Sequence, residues 1–240
     1  MTPTPETSSF DTLRDAILRG MAHALSNRVA ALGGINGLAD PGQIWTERLS
    51  KALHDEARRL EEILRLLRLL PADGRGDAGA IELQPLVPDV IALHAYQSAL
   101  LQVECSAVYD RETMPVFASR PHLVQTLLLA IDVAKRHAHA RGGCVSVSYR
   151  GDADQVTVRV ATGPSSTPAK AAGAVPERAA TDAAVDVAAT ARALRAAVAG
   201  VRGPSDIEVT AAGNELQIEL TIPTLAAGRR GQLSARPGTA

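Results

Sequence analysis

The chain is 240 residues long, 46% apolar and 21% charged, with 25 basic side chains against 26 acidic ones. That length holds one or two domains with a real core, and a net charge of −1 removes the general electrostatic case for nucleic-acid binding. No stretch approaches the roughly 18 consecutive apolar residues of a membrane span. Met1 to Asp11 lack the basic-then-apolar order of a signal peptide, and two cysteines, Cys105 and Cys144, suit a reducing cytoplasm.

Residues 8–70 read as a helical hairpin. Apolar residues recur at Phe10, Leu13, Ile17, Met21, Leu25, Val29, Leu32 and Ile35, in steps of three or four, and Ser8, Ser9 and Asp11 offer N-caps. Asp40-Pro41-Gly42 breaks the chain. A second stripe follows at Trp45, Leu49, Leu53, Ala57, Leu60, Leu64 and Leu67, backed by a polar face of mixed sign. So short a connection makes the two helices antiparallel neighbours. Ile63, Leu66, Leu69 and Leu70 crowd the end of the second helix beyond one stripe. That excess is read as an intermolecular face, two hairpins pairing into the four-helix bundle of a homodimer.

Residues 71–80 (PADGRGDAGA) read as a linker without periodicity, and Arg75-Gly76-Asp77 inside it as an accident of composition. The pattern then changes. A short strand at Ile81 to Leu83 leads into a helix from about Val87 to Leu101, and alternating runs follow at Gln102–Tyr109 and Met114–Ala118. Next come an apolar helix from Pro121 to about His139 and a hairpin, CVSVSYR and QVTVRVA, around Gly151 to Asp154. An alanine-rich helix from about Glu177 to Ala199 precedes a last hairpin of DIEVTA with ELQIELTIP. Residues 81–224 are therefore expected to form an α/β sandwich with a mixed sheet, and residues 225–240 a flexible tail.

His23 is the candidate centre of chemistry. Thr12, Ala16, Arg19, Gly20, Asn27 and Ala30 share its helix face, which is small and polar, while the apolar stripe lies elsewhere. An accessible neutral imidazole without bulky neighbours is what a phosphoryl-accepting histidine requires. It is equally what a polar residue on a wet helix face looks like.

A histidine-bearing hairpin followed by an α/β sandwich resembles the core of bacterial sensor histidine kinases. His23 to Asn27 matches that family's H-E-x-x-N/T motif at the histidine and at the fourth residue after it. Residues 118–138 (ASRPHLVQTLLLAIDVAKRHA) resemble the family's G-D-x-x-x-L-x-Q-x-x-x-N-L-x-x-N-A helix, and residues 158–166 (VRVATGPSS) its V-x-D-x-G-x-G strand. The resemblance covers about residues 10–224. It departs where nucleotide chemistry would sit. The asparagines that hold magnesium and phosphates fall on Leu129 and Val133, with Asp132 a shifted substitute. The adenine-reading aspartate falls on Ala161, the glycines of its box on Gly163 and Ser165, and the acidic residue after the histidine on Ala24.

A kinase-shaped dimer that keeps its histidine and loses its nucleotide site is similar to the ChpT-type histidine phosphotransferases. The resemblance implies transfer between receiver aspartates of response regulators through His23, without ATP and without a cofactor in this chain, since Mg²⁺ sits on the partner receiver. It further implies Asn27 as a helper, Arg19, Gly20, Ser26, Arg28 and Ala30 as receiver-docking residues, a hybrid histidine kinase as a further partner, and a cytoplasmic location. The alternatives are a non-catalytic pseudokinase or adaptor, and a weak histidine kinase or phosphatase. Among other residues, His54 reads as solvated, His94 as a polar-face residue, His122 as structural and Cys105 as a small buried residue. A metal site at His137, His139 and Cys144 is disfavoured, since an H-x-H pair on a helix points to different sides.

Overall fold

The structure, a computed structural model, describes residues 5–37, 47–71, 76–100, 102–109, 113–164, 187–199, 206–213 and 215–234. The break at Asp40 to Gly42, Trp45, Arg75, Ser165 and the start of the alanine-rich helix before Val187 lie outside the described residues, as do the side chains of Ser8 and Ser9.

Two helices, α1 (Pro5–Gly37) and α2 (Glu47–Leu67), pack on one another. Beyond them come β1 (Ala78–Ile81), α3 (Leu83–His94) and a 3₁₀ turn (Ser98–Leu100). β2 (Cys105–Val108), β3 (Val116–Ser119) and α4 (Arg120–His139) follow. The remaining elements are β4 (Gly143–Gly151), β5 (Gln155–Pro164), α5 (Val187–Ala199), β6 (Asp206–Ala212), β7 (Glu215–Pro223) and α6 (Leu225–Ser234). One mixed sheet has the order β2-β4-β5-β7-β6, with β2 parallel to β4 and every other pair antiparallel. β1 and β3 form a separate antiparallel pair.

The large sheet is half-buried, as the period-two alternation requires. Val145, Val147 and Tyr149 of β4 lie on its inner face beside Val156, Val158 and Val160 of β5 and Leu216, Ile218, Leu220 and Ile222 of β7. α4 packs across this face. With α1, α3 and α5 also against it, α4 is buried nearly all round, which explains an apolar run too broad for one amphipathic stripe. The other face carries Ser146, Ser148, Thr157, Arg159 and Thr221, a polar surface that is half-buried except at the exposed Arg159, with an Arg159–Glu219 ion pair of 2.9 Å.

The stripe on α1 splits in two. Phe10, Leu13, Ile17 and Met21 are buried in the same hydrophobic cluster as α4 and the sheet, so the core continues across the interval between hairpin and sandwich. Further on, Leu25, Leu32 and Ile35 are half-buried and Val29 is 61% exposed. α2 corrects one expectation. Ile63 and Leu66, read as part of an intermolecular face, are buried within the chain at 3% and 2% exposure, and α2 packs on α3. The apolar surface left open consists of Leu53 and Leu64 on α2 with Leu18 and Val29 on α1.

Two further expectations change. Residues 78–80 of the supposed linker are strand, because Ala78, Gly79 and Ala80 pair with Ser119, Ala118 and Phe117. The first ten residues of the supposed tail form α6. Thr224 starts it: its backbone N–H donates to Asp154 O, its hydroxyl donates to Ala153 O, and Oγ1 accepts from Ala227 N. Gly228 then lies flat against Phe117, where a Cβ would come within 2.6 Å of the ring.

Gly20 fixes how α1 meets the sandwich. A Cβ on Gly20 would lie 1.9 Å from the carbonyl oxygen of Tyr96, in the turn after α3. Alanine normally gains about 1 kcal/mol over glycine in a helix interior, but a backbone carbonyl cannot yield like a flexible side chain. We therefore expect Gly20→Ala to lower stability by about 1–3 kcal/mol, whereas Gly33→Ala, with nothing within 4 Å of its Cβ, raises it. Urea midpoints of the two variants against the native chain measure both signs.

Candidate functional site

His23 lies on α1 two residues beyond Met21, the last deeply buried residue of its first half, and is exposed, as are Arg19, Asn27 and Ala30. Asn27 Nδ2 donates to His23 Nε2 at 3.2 Å. With Nε2 accepting, the ring proton sits on Nδ1 and the Nε2 lone pair faces the Asn27 amide. Ser26 is exposed and returns its hydroxyl to Ala22 O at 2.9 Å, the back-bonding open to serine inside a helix.

Two of the proposed docking residues have other duties. Gly20 is occupied by Tyr96 O rather than presented outward. Arg28 turns to α2, where its Nη1 lies 3.3 Å from both carboxylate oxygens of Glu56. Glu56 is only 7% exposed and also accepts from Arg59. Above this cluster runs a groove of about 620 Å³, bordered by Ala24, Arg28, Arg58, Arg59, Ile63 and Tyr96. The His23–Asn27 ridge stands beside it, because Ala24 and Arg28 are each one residue, about 100°, further round the helix.

In the sandwich, Leu129 is 6% exposed and belongs to the core, with Val133 packed against it. Neither side chain carries an oxygen for a hard cation. Ala161 does not face the interior. It pairs with Ser146 and Gln217 and shares the outer polar face with Arg159. The inward residue next to it is Thr162, continuing the Val156, Val158, Val160 alternation. Thr162 Oγ1 donates to Leu216 O at 3.4 Å and accepts from Leu216 N at 2.9 Å, so it is tied to β7. Gly163 is half-buried, with nothing within 4 Å of where its Cβ would be. Among the described residues, Leu129, Val133 and Ala161 therefore offer no side-chain oxygen at the positions compared with a magnesium–nucleotide site. Alternation alone would have preferred Thr162 to Ala161, since a one-residue shift carries a side chain to the opposite face.

His94 is the clearest correction. Read as a polar-face residue, it is fully buried, with its Nε2 3.3 Å from Asp132 Oδ1. Asp132 Oδ2 accepts from Arg136 Nε at 2.7 Å. His94 Nδ1 is buried without a partner. That geometry suits the neutral ring with its proton on Nε2, because protonation would create a donor facing no acceptor. Burial accordingly pushes His94 below its ordinary range, against the pull of Asp132. Burial would raise Asp132, but the bonds from His94 and Arg136 prevail and hold it below its usual value. Lys135, also buried, reaches Leu100 O at 3.4 Å.

His54 is exposed. His122 Nδ1 lies 2.8 Å from Ser119 Oγ at the start of α4, and burial lowers its pKa. His137 is buried while His139 is exposed beside Gln102, and no group of three potential metal ligands exists among the described residues. Cys105 is half-buried, its thiol pushed up to about 11 by burial. Among the described residues, no helix is long and apolar enough to cross a membrane.

No family model matches the chain, and no curated protein does. Solved structures do, and the likeness read from the motif order recurs among them. Histidine kinase AdeS of Acinetobacter baumannii is 19% identical over 85% of this chain and 98% of that chain, with a TM-score of 0.43. A bacterial phosphotransferase is 14% identical over 87% of this chain and 95% of that one, at 0.41. Histidine kinase ThkA, in a crystal structure with the response regulator protein TrrA, is 16% identical over 85% of this chain and 59% of that one, at 0.42. Each score lies below 0.5, so these likenesses stand beside the geometry and carry none of its weight.

The buried histidine has a measurable consequence. In the unfolded chain His94 takes up its proton near pH 6.5, while the folded chain resists it, so its share of stability is full above that pH and falls below it. The unfolding free energy from urea titrations should drop steadily from pH 7 to pH 5, with a slope approaching about 1.4 kcal/mol per pH unit for one proton. His122 acts in the same direction, so His94→Gln should flatten the slope without abolishing it. The Asp132 contribution persists until below pH 3.8.

Proposed function

We propose that this chain is a histidine phosphotransferase that relays a phosphoryl group between the aspartates of response-regulator receiver domains through His23, without using ATP. The observation that carries the reading is the exposed His23 ring, with Asn27 Nδ2 at 3.2 Å from Nε2. The bond selects the tautomer whose Nε2 lone pair is available once Asn27 swings aside.

The chemistry is an in-line displacement. His23 Nε2 attacks the phosphorus of a receiver aspartyl phosphate; the N–P bond forms as the P–O bond to the aspartate breaks, and the carboxylate leaves with the electron pair. The proton stays on Nδ1. Reversal on a second receiver passes the group onward. Asn27 orients the ring, and the exposed Arg19 favours approach of an acidic receiver pocket. The receiver supplies the Mg²⁺ its phosphate requires, and this chain contributes the nucleophile.

Two features support the finer parts of the reading. The apolar Leu129 and Val133, together with Thr162 held by Leu216, replace the oxygen donors that a nucleotide would need. The exposed Leu18, Val29, Leu53 and Leu64 leave an apolar surface on the hairpin, which a second copy would cover as a four-helix bundle.

Intact mass after incubation with phosphoramidate tests the centre of the proposal. One acid-labile phosphoryl group is expected on the native chain and none on His23→Gln. Absence of label on a folded native chain would leave the adaptor reading in its place. Magnesium–ATP titration by calorimetry is expected to show no binding heat, and tight binding would return the chain to the kinases.

A further inference from the structure

The lone pair through which His23 is to attack is already engaged. Nε2 of a neutral imidazole carries one in-plane lone pair, and in the resting chain Asn27 Nδ2 donates to it at 3.2 Å. Ring and amide are both exposed, so the contact is not forced by crowding. It follows from the direction of helical side chains. Asn27 lies one turn beyond His23, and side chains lean toward the N-terminus of their helix, so the amide tilts back over the ring.

Nothing nearby competes for the amide. Ser26 directs its own hydroxyl to Ala22 O. On the far side of Asn27 stand Ala30 and Ala31, which carry no side-chain acceptor. Among the described residues, the bond to His23 is the one hydrogen bond of the Asn27 side chain.

An amide hydrogen on the lone pair stands where phosphorus must approach, because both use the same orbital. The bond stabilises the resting ring and is lost before the N–P bond forms, so it raises the barrier by its own free energy. Its choice of tautomer does not offset this. The bonded ring has its proton on Nδ1, as attack requires, yet every molecule still has to leave the bonded state to react. Removing the bond can only enlarge the population whose Nε2 lone pair is free.

We propose that Asn27 is an autoinhibitory residue of the His23 site: its amide masks Nε2 in the resting chain, and phosphoryl uptake waits on the amide turning away. The bond that orients the ring is the bond that masks it. This rests on the reading of His23 as phosphoryl acceptor, and two arms of the test do not.

The first arm follows phosphorylation of the full chain by phosphoramidate through intact mass. In that step the bond from Nε2 to phosphorus forms, the P–N bond of the donor breaks, and ammonia leaves. Asn27→Ala and Asn27→Leu are each expected to raise the initial rate about threefold, the size of a neutral hydrogen bond at the weak end of its range. Leucine keeps the bulk of asparagine and lacks the donor, so a rise in Asn27→Ala alone would mean relief of crowding and overturn the proposal. Unchanged rates in both variants overturn it too, and lower rates would make the amide a helper of the transferring group instead. Both changes place strong helix formers on an exposed face, and circular dichroism verifies the fold.

The second arm measures modification of His23 by diethyl pyrocarbonate, which reacts with a free ring lone pair and involves no phosphorus; the same threefold rise is expected. The third reads the imidazole ¹⁵N shifts of His23. The native ring should report one tautomer with its proton on Nδ1, and both variants a mixture; an unchanged tautomer in both would overturn the mask. A native chain that takes no phosphoryl group refutes the acceptor reading alone, and the second and third arms then judge the mask.

Discussion

The placement of α1 depends on a single close approach. At Gly20 the helix comes so near the turn after α3 that the carbonyl of Tyr96 occupies the space of a side chain. From this contact the first half of α1 sinks among α4 and α5 while the second half emerges with α2. His23, three residues on, is set at a fixed place relative to the sandwich. A histidine on a hairpin joined by a loose linker would have no such fixed neighbourhood. Here the linker interval includes a strand, β1, and the core runs past it.

The interior of the sandwich is organised around α4. Besides its apolar residues it buries Asp132, Lys135 and His137, types that are rarely interior unless satisfied. Asp132 is bonded by His94 and Arg136, and Lys135 reaches a backbone carbonyl. The polar groups of this helix are thus partnered inside the protein, and the apolar Leu129 and Val133 complete a packed core around them.

Much of this was legible from residues alone, because the strongest signals were local. The apolar run of α4 places that helix within one residue at its start, and the alternation of β4, β5 and β7 marks the hairpins at their turns. What was missed depended on partners far away in sequence. His94 is buried because Asp132 waits 38 residues later. Ile63 and Leu66 are internal because they join a core to which α1, α3, α4 and the sheet all contribute. The helix α6 lies within residues that read as a flexible tail, and its start is fixed by Thr224 bonding to Ala153 and Asp154. The site divides in the same way. His23 and Asn27 are a local pair four residues apart and were visible as such, whereas Glu56 is 28 residues from Arg28 and nothing local marks it as buried.

The buried stripe at the start of α1 also governs the order in which the chain can mature. Phe10, Leu13, Ile17 and Met21 find their partners on α4 and α5, and the last of those partners, Leu194 and Ala197, are made more than 170 residues after Met21. At typical rates of synthesis that interval is roughly 10–35 s. Throughout it, the first helix emerges from the ribosome with a bare hydrophobic stripe, vulnerable to premature association with whatever nascent chain lies alongside.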